Sequence, residues 1–169
     1  NPVVYLFDKR LHGLAWLSNE ATAAVHVPTD SYTVEIGKAK IAREGSDVTI
    51  VGFGMGAHNA LKAAGLLEQQ GVSAEVIDLM SLVPLDRDTI RNSVAKTGRL
   101  IVIDDDYLSY GMTGEIIASV TEHDISVLKA APKRIAHPDV PIPCARDVEA
   151  EFTPDAEKIL EAWDMMKAG

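Results

Sequence analysis

The sequence is short of several features that would each indicate a particular class of protein. It has one cysteine, Cys144, so no disulfide can form within the chain and no multi-cysteine metal framework is available. Positive charge is scarce, because 16 Lys and Arg stand against 25 Asp and Glu, and the formal net charge of −9 leaves no excess to neutralise nucleic-acid phosphates. No apolar run approaches the roughly 20 residues of a membrane-spanning helix. We therefore expect no nucleic-acid partner, no membrane location, and a reducing compartment that suits a lone thiol.

The composition that remains is that of an ordinary globular domain. The chain has 169 residues, of which 47% are hydrophobic and 24% charged, which is enough to bury a core without disulfides or metal. Its first residue is Asn1 rather than methionine, and the apolar run at residues 3–7 lacks the charged flank of a signal peptide. We expect a piece of a longer protein, with residues 3–7 forming a buried strand that belongs to something upstream.

Regular patterning begins near Tyr32 and indicates strands that alternate with helices. Alternating or apolar β-branched runs predict strands at residues 33–36, 39–41, 48–51, 74–77, 100–103 and 133–135. Helices are predicted between most of these strands, with Asp86 as a cap and Gly71 and Gly98 as stops. A last helix is predicted with Thr153 as N-cap and Pro154 at its first position. This order predicts a mainly parallel sheet that is covered by helices on both faces.

A glycine-rich turn follows the strand at residues 48–51. Gly52, Gly54, Gly56 and Ala57 satisfy a G-x-G-x-x-A pattern between a strand and a helix, and Asp78 lies 26 residues after Gly52. Glycines there let the backbone approach a pyrophosphate that the helix N-terminus attracts. The alternative is a tight turn in which the glycines only allow close packing of the helix on the strand.

Three consecutive aspartates, Asp104, Asp105 and Asp106, are predicted to follow the strand at residues 100–103. Carboxylates at the end of a parallel strand are suited to a hard cation such as Mg²⁺. The favoured interpretation is a solvated acidic loop, because adjacent carboxylates point in different directions and no phosphate-binding lysine stands beside them. A receiver-type phosphoacceptor site is disfavoured, because its acidic pair follows the first strand of the sheet, whereas these aspartates follow a later strand.

Histidines and the thiol form no recognisable reactive group. The spacing of the five histidines fits no metal-ligand pattern, and His137 and Cys144 are separated by a proline-rich loop. The histidines concerned are His12, His26, His58, His123 and His137. From the residues alone we predict an α/β domain with an alternative anion site at Gly52, Gly54, Gly56 and Ala57, and no catalytic centre or metal site.

Six segments, read in order, resemble one family of enzyme subunits. They are Asn1–Leu6, Ile36–Ala39, Asp47–Val51, Glu75–Leu79, Pro84–Asp86 and Ala131–Ile135, and the similarity continues through Gly111, Glu115–Ile116, Asp139–Pro143 and the last helix. Together they resemble the C-terminal part of the beta subunit of a 2-oxo acid dehydrogenase first component, as in pyruvate or branched-chain 2-oxo acid dehydrogenase. The acetoin dehydrogenase beta subunit is similar.

The resemblance implies a transketolase C-terminal-type fold, a three-layer α/β/α domain with a five-stranded mixed, mainly parallel sheet. Residues 1–31 would be the tail of an upstream pyrimidine-binding domain with its connection, and residues 32–169 the transketolase C-terminal-like domain. Thiamine diphosphate and Mg²⁺ would bind in the full enzyme, between that upstream domain and a separate alpha subunit. This chain alone would bind neither, and the isolated fragment would be inactive.

The same resemblance implies partners and a reaction. The enzyme would decarboxylate a 2-oxo acid oxidatively and pass the acyl group to lipoamide, in the bacterial cytoplasm or the mitochondrial matrix. This domain would hold an alpha subunit and a second beta subunit in an α2β2 tetramer and help to dock a lipoyl-bearing acyltransferase core. When the domain is isolated, the apolar surface that it normally buries against other subunits is exposed. We therefore expect the isolated domain to self-associate through that surface.

Some positions depart from the family pattern, and two other functions stay open. Phe7 stands where glutamate is usual, His12 where tyrosine is common, and Ala130 where relatives often carry an acidic residue that faces a basic acyltransferase domain. Cys144 replaces a frequent aromatic residue and Asp104 a usual glutamate. The alternatives are a Rossmann-like dinucleotide-binding module of an oxidoreductase and an acidic interaction module.

Overall fold

The computed structural model describes Pro2, Val4 and residues 28–167. Within them, one sheet is formed by the strands β1 (Lys40–Arg43), β2 (Val48–Gly52), β3 (Ala74–Asp78), β4 (Leu100–Tyr107) and β5 (Lys133–His137). The helices are α1 (Met55–Gln69), α2 (Arg87–Thr97), α3 (Met112–Asp124), α4 (Arg146–Phe152) and α5 (Ala156–Lys167), with a 3-10 turn at Ile125–Val127. The predicted strand at residues 3–7 lies, apart from Val4, outside the described residues.

The sheet has the order β1-β3-β2-β4-β5, with β1 antiparallel to β3 and the other neighbours parallel. Each parallel neighbour is reached through a helix, because a parallel pair needs a long crossover. The chain moves outward from β2 to β3, then crosses back over β2 to reach β4. That reversal puts α1 on one face of the sheet and α2 and α3 on the other. The predicted five-stranded mixed, mainly parallel sheet is confirmed.

Two hydrophobic cores, one on each face of the sheet, follow from the alternation of side chains along the strands. Ile50 of β2 packs with α1 and α5, whereas its neighbour Val51 packs with α2 and α3. Thr49 is also buried, and its hydroxyl hydrogen-bonds Ser93 at 2.7 Å and Thr97 at 2.8 Å on α2. The three layers are therefore helix, sheet and helix.

The predicted strand at residues 33–36 is wrong, and the one at residues 39–41 is displaced, since β1 covers Lys40–Arg43. The backbone before β1 hydrogen-bonds side chains of a loop instead of another strand. The amide of Gly37 donates to Ser81 Oγ at 3.2 Å, and the amide of Ala39 donates to Asp86 Oδ2 at 3.0 Å. The alternation of apolar and polar residues did not distinguish an edge strand from this segment, which is held by hydrogen bonds to side chains.

The start of the last helix also differs from the prediction. Helix α5 begins at Ala156, and the carboxylate of Asp155 accepts from the amide of Lys158 at 2.9 Å, as a capping residue does. Thr153 instead ends α4, a short helix that was not predicted, and its hydroxyl donates to the carbonyl of Glu149 at 3.0 Å. None of the helices in the described part of the chain has the length and apolarity to cross a membrane.

Candidate functional site

The carboxyl ends of β2, β3, β4 and β5 meet at one edge of the sheet, and the order of the strands reverses between β2 and β4. Open α/β sheets bind ligands at such a point. The edge gathers the predicted glycine turn after β2, Asp78 at the end of β3, the three aspartates of β4 and His137 at the end of β5. It is the candidate site of this chain.

The glycine turn is shaped by close backbone packing. A Cβ on Gly52 would lie 2.7 Å from the carbonyl carbon of Gly56, and a Cβ on Gly56 would lie 2.9 Å from the backbone oxygen of Ile103 on β4. Gly54 has φ +54° and ψ −131°, a conformation that side chains rarely adopt, and nothing lies within 4 Å of its Cβ direction. Gly52 and Gly56 thus allow α1 to seat on β2 and β4, whereas Gly54 serves the turn itself.

Asp78, which has roughly the spacing of a ribose-binding acid in the dinucleotide pattern, lies beside the glycine turn. It is the register partner of Gly52, and its carboxylate accepts from the amide of Met80 at 3.3 Å. Burial raises the pKa of Asp78, while that hydrogen bond and the charges of His58 and Lys40 oppose the rise. His58, on the first turns of α1, is the neighbour that the sequence pattern did not identify.

The three consecutive aspartates do not form a loop after the strand, which corrects the prediction, because β4 continues through them to Tyr107. Asp104 is buried, Asp105 half-buried and Asp106 exposed, so exposure rises steadily as β4 leaves the core. Asp104 accepts from the amide of Asp106 at 3.2 Å, and Asp106 accepts from the amide of Tyr107 at 2.7 Å. Burial, together with the two neighbouring carboxylates, raises the pKa of Asp104.

The described histidines lie on different elements. His58 is on α1, His123 at the exposed end of α3 and His137 at the end of β5, where its ring centroid lies 6.5 Å from that of Tyr107. Cys144 is exposed in the loop after β5, and no hydrogen bond between described residues joins it to His137. His12 and His26 lie outside the described residues.

The donor set at this edge does not fit a diphosphate held by Mg²⁺. Such a site needs several oxygen ligands that converge on one ion, but Asp104 and Asp106 are turned toward their own backbone. Across Pro2, Val4 and residues 28–167, no group of three or more His, Cys, Asp or Glu side chains is arranged to hold a metal. We therefore derive no chemical step through thiamine diphosphate on these residues.

One protein-family model matches most of this sequence. The family model described as "Transketolase, C-terminal domain" matches residues 37–159, well over half of the chain. The chain belongs to the transketolase C-terminal domain family. The matched residues run from the segment before β1 into α5, so all five strands of this transketolase C-terminal domain fall within them.

Relatives of this transketolase C-terminal domain include beta subunits of pyruvate dehydrogenase E1 components and of an acetoin oxidoreductase. The chain is 45% identical over 163 residues to the mitochondrial pyruvate dehydrogenase E1 component subunit beta-1 of Arabidopsis thaliana, covering 96% of this chain and 43% of that protein. The pyruvate dehydrogenase E1 component subunit beta of Bacillus subtilis is 38% identical, with 95% and 47% covered. The acetoin:2,6-dichlorophenolindophenol oxidoreductase subunit beta of Cupriavidus necator is 36% identical, with 96% and 45% covered.

Among solved structures, the domain is similar to a split-gene transketolase described as an inactive beta4 tetramer. The two share 27% identity with a TM-score of 0.69, over 80% of this chain and 44% of the other. The sequence-based resemblance to 2-oxo acid dehydrogenase beta subunits is confirmed by these matches. The chain spans less than half the length of these relatives.

Tyr110 is one further feature of this edge that sequence reasoning missed. It follows β4, is fully exposed and has φ +65°, a left-handed backbone that is uncommon outside glycine. The neighbouring Ser109 fixes the turn, since its hydroxyl and amide both reach the carboxylate of Asp139, at 2.6 and 3.2 Å. No local pattern predicted the turn, because Asp139 lies 30 residues away in sequence.

Proposed function

We propose that this chain is the C-terminal domain of the beta subunit of a thiamine diphosphate-dependent 2-oxo acid dehydrogenase, and that it serves subunit assembly rather than chemistry. The observation that carries the proposal is similarity to pyruvate dehydrogenase E1 beta subunits over 96% of this chain. The packing role of Gly52 and Gly56 and the local hydrogen bond that Asp104 accepts from the amide of Asp106 support the same proposal, because these groups already have structural roles.

An exposed apolar surface supports the assembly role. It consists of side chains from the segment before β1 and from the loop between β3 and α2, and we call it the assembly face: Tyr32, Val34, Ile36, Met80 and Val83. Val83 is 90% exposed and Ile36 77%. The two segments contact each other, since the amide of Gly37 donates to Ser81 and its Cβ direction meets Pro84. Fixed apolar surface of this kind is typical of subunit contacts.

In the full enzyme, the assembly face would contact the alpha subunit or the second beta subunit of an α2β2 tetramer. Thiamine diphosphate and Mg²⁺ would be bound by the upstream pyrimidine-binding domain and the alpha subunit. The enzyme would act in the bacterial cytoplasm or the mitochondrial matrix, because one of its relatives is a mitochondrial protein and another comes from a bacterium. In this proposal, residues 1–31 are the tail of the upstream domain with its connection.

Docking of the lipoyl-bearing acyltransferase is the second part of the assembly role. Ala130 supplies no carboxylate at the position where relatives often carry one, and it packs half-buried against the core between the sheet, α1 and α5. Other carboxylates of this acidic chain would therefore have to provide the charge. A basic acyltransferase segment that binds the assembled enzyme in a salt-dependent way is the expected finding.

The most direct test is to sequence the gene upstream of the codon for Asn1. A pyrimidine-binding domain is expected there, and a different domain would overturn the proposal. A biochemical test is to supply the 169-residue chain with pyruvate, thiamine diphosphate and an artificial electron acceptor. No turnover is expected without an alpha subunit, and turnover by this chain alone would contradict the assembly role.

The assembly face can be tested in the beta subunit that contains this chain, expressed together with its alpha subunit. Val83→Asp and Ile36→Asp should each reduce the tetramer fraction in sedimentation, because a charge would be buried at a contact. Ile125→Asp is the matched control, since Ile125 is 68% exposed outside the assembly face. Tetramer yields that respond equally to all three substitutions would contradict the assignment of this face.

A further inference from the structure

Among the described residues, β5 is one of the two edge strands of the sheet, and its outer side pairs with no other strand. The carbonyl of His137 accepts from the amide of Leu108, just beyond β4, at 2.8 Å, so His137 turns its backbone groups toward β4. Backbone orientation alternates along a strand. Lys133 and Ile135 therefore also face β4, and Arg134 and Ala136 point their N–H and C=O groups outward. No hydrogen bond outside the sheet reaches the backbone of Arg134 or Ala136 in the described part of the chain.

A groove of about 280 Å³ lies beside this edge, between β5 and α5. Its apolar lining comes from the loop after β4, from β5 and the proline that follows it, and from α5: Leu108, Ile135, Ala136, Pro138, Ala162 and Met165. Met165 is 62% exposed although it is a large apolar side chain. The groove can thus receive apolar side chains from a strand that pairs with β5.

The groove is cationic although the whole chain is acidic. Lys133, Arg134 and Lys158 line it together with a single acidic residue, Glu161, whereas the formal charge of the chain is −9. Two of the cations are held in place by backbone carbonyls. Arg134 Nη1 donates to Leu108 O at 3.0 Å, and Lys158 Nζ donates to Thr153 O at 2.7 Å. A ligand that matches this charge is negative.

We propose that the free edge of β5 and its groove bind an extended acidic peptide segment with apolar residues at alternate positions, which adds a sixth strand to the sheet. The outward backbone groups of Arg134 and Ala136 supply the ladder hydrogen bonds, the groove takes the apolar side chains, and the three cations select acidic ones. Lysines on an edge strand also prevent unwanted pairing. That protective role requires no apolar groove beside the strand.

The test uses the 169-residue chain and a capped peptide of alternating glutamate and valine. Saturable binding is expected by fluorescence anisotropy, weakening as ionic strength rises. Amide hydrogen exchange should slow at Arg134 and Ala136, whereas Lys133 and Ile135, which already pair with β4, should be unchanged. The control is a capped peptide of the same length with alternating lysine and valine. Equal binding of that control peptide, or unchanged exchange at both outward amides at saturation, would overturn the proposal.

Variants separate peptide binding from simple protection of the edge. Lys133→Glu and Lys158→Glu should each weaken the glutamate–valine peptide about tenfold, and Lys40→Glu, on the opposite edge strand β1, should leave its affinity unchanged. Ala136→Pro removes an outward N–H without removing a ladder bond and should abolish binding. If wild type binds no peptide and Lys133→Glu only promotes aggregation, the cations protect the edge and the proposal is wrong.

Discussion

Glu75 on β3 and Lys96 in the last turn of α2 form an ion pair at the amino end of the sheet, with the carboxylate buried and the ammonium half exposed. The side chain of Glu75 is 1% exposed and that of Lys96 44%. Gly45 also donates its amide to Glu75 at 3.3 Å, and Lys96 reaches Glu44 at 3.2 Å. Burial alone raises the pKa of Glu75, but the hydrogen bond from Lys96 and those from its other neighbours outweigh burial and hold the pKa below its ordinary value.

Lys96→Met should lower the free energy of unfolding by about 2 kcal/mol, because it leaves a buried carboxylate without its charged partner. Lys62→Met is the matched control, since Lys62 pairs with Glu157 at 3.5 Å and both side chains are exposed. The control should cost less than about 0.5 kcal/mol. Urea unfolding followed by circular dichroism measures both, and equal losses would contradict the role of burial.

Acid should destabilise the protein partly through Glu75. Because its folded pKa lies below the ordinary 4.5, the unfolded state binds the proton more readily, and the stabilisation is complete only above about pH 4.5. It is lost as the pH falls through the folded pKa. Glu75→Gln should therefore flatten the fall in unfolding free energy below pH 4.5, measured by urea titrations across that range. An unchanged pH slope would show that Glu75 is not the responsible group.

The contribution of Asp104 to stability should depend on pH in the opposite direction from that of Glu75. Burial and the carboxylates of Asp105 and Asp106 raise its folded pKa above the ordinary 3.8, so its stability contribution falls as the pH rises through the folded pKa. Asp104→Asn should stabilise the fold at neutral pH and lose that advantage below about pH 3.8. Asp147→Asn, at an exposed position of α4, is the charge-matched control. Thermal melts at both pH values decide the result, and no gain at neutral pH would refute it.

Two glycines of α1 should respond in opposite directions to alanine. Gly56→Ala should cost about 2 kcal/mol, because the new methyl would lie 2.9 Å from the backbone oxygen of Ile103. Gly65→Ala should instead stabilise the protein by about 0.5–1 kcal/mol, since nothing lies within 4 Å of that position and alanine favours the helix. Denaturant unfolding measures both variants. Equal effects would mean that contact with β4 does not constrain Gly56.

Asp86 should contribute more than an ordinary helix cap. Its carboxylate accepts from the amide and hydroxyl of Thr89, at 3.2 and 2.8 Å, and from the amide of Ala39. Asp86→Ala should cost about 2 kcal/mol and speed hydrogen exchange at Ala39. Asp88→Ala is the control. Asp88 lies in the first turn of α2, and its removal should cost less than about 0.5 kcal/mol. Unchanged exchange at Ala39 would show that the tether is not needed.

Elements whose signals are local could be predicted from the sequence. The buried runs of β2, β3 and β4 are apolar and β-branched, and Asp86 and Gly98 bound α2 as their capping chemistry requires. The segment before β1 and the start of α5 were mispredicted, because their hydrogen-bond partners are supplied by Ser81, Asp86 and Asp155 rather than by the pattern of apolar residues.

For the candidate site, Gly52 and Asp78 have roughly the spacing of a dinucleotide-binding pattern, and it is the register of β2 with β3 that brings them together. The three aspartates were predicted to follow their strand, yet β4 continues to Tyr107 because β5 pairs there, at the Tyr107–His137 register. Such pairing joins residues that are distant in sequence, so it leaves no local trace.

The sequence by itself determined the alternation of strands and helices and the covering of the sheet on both faces, because periodicity, capping and turn chemistry act between residues a few positions apart. The family followed from the resemblance of ordered segments along the chain rather than from these local patterns. Only the tertiary structure decided that Gly52 and Gly56 serve packing, that Glu75 is buried against Lys96, and that β5 has a free cationic edge. Each of those depends on the strand order and on distances between segments, which are set when the chain packs into one core.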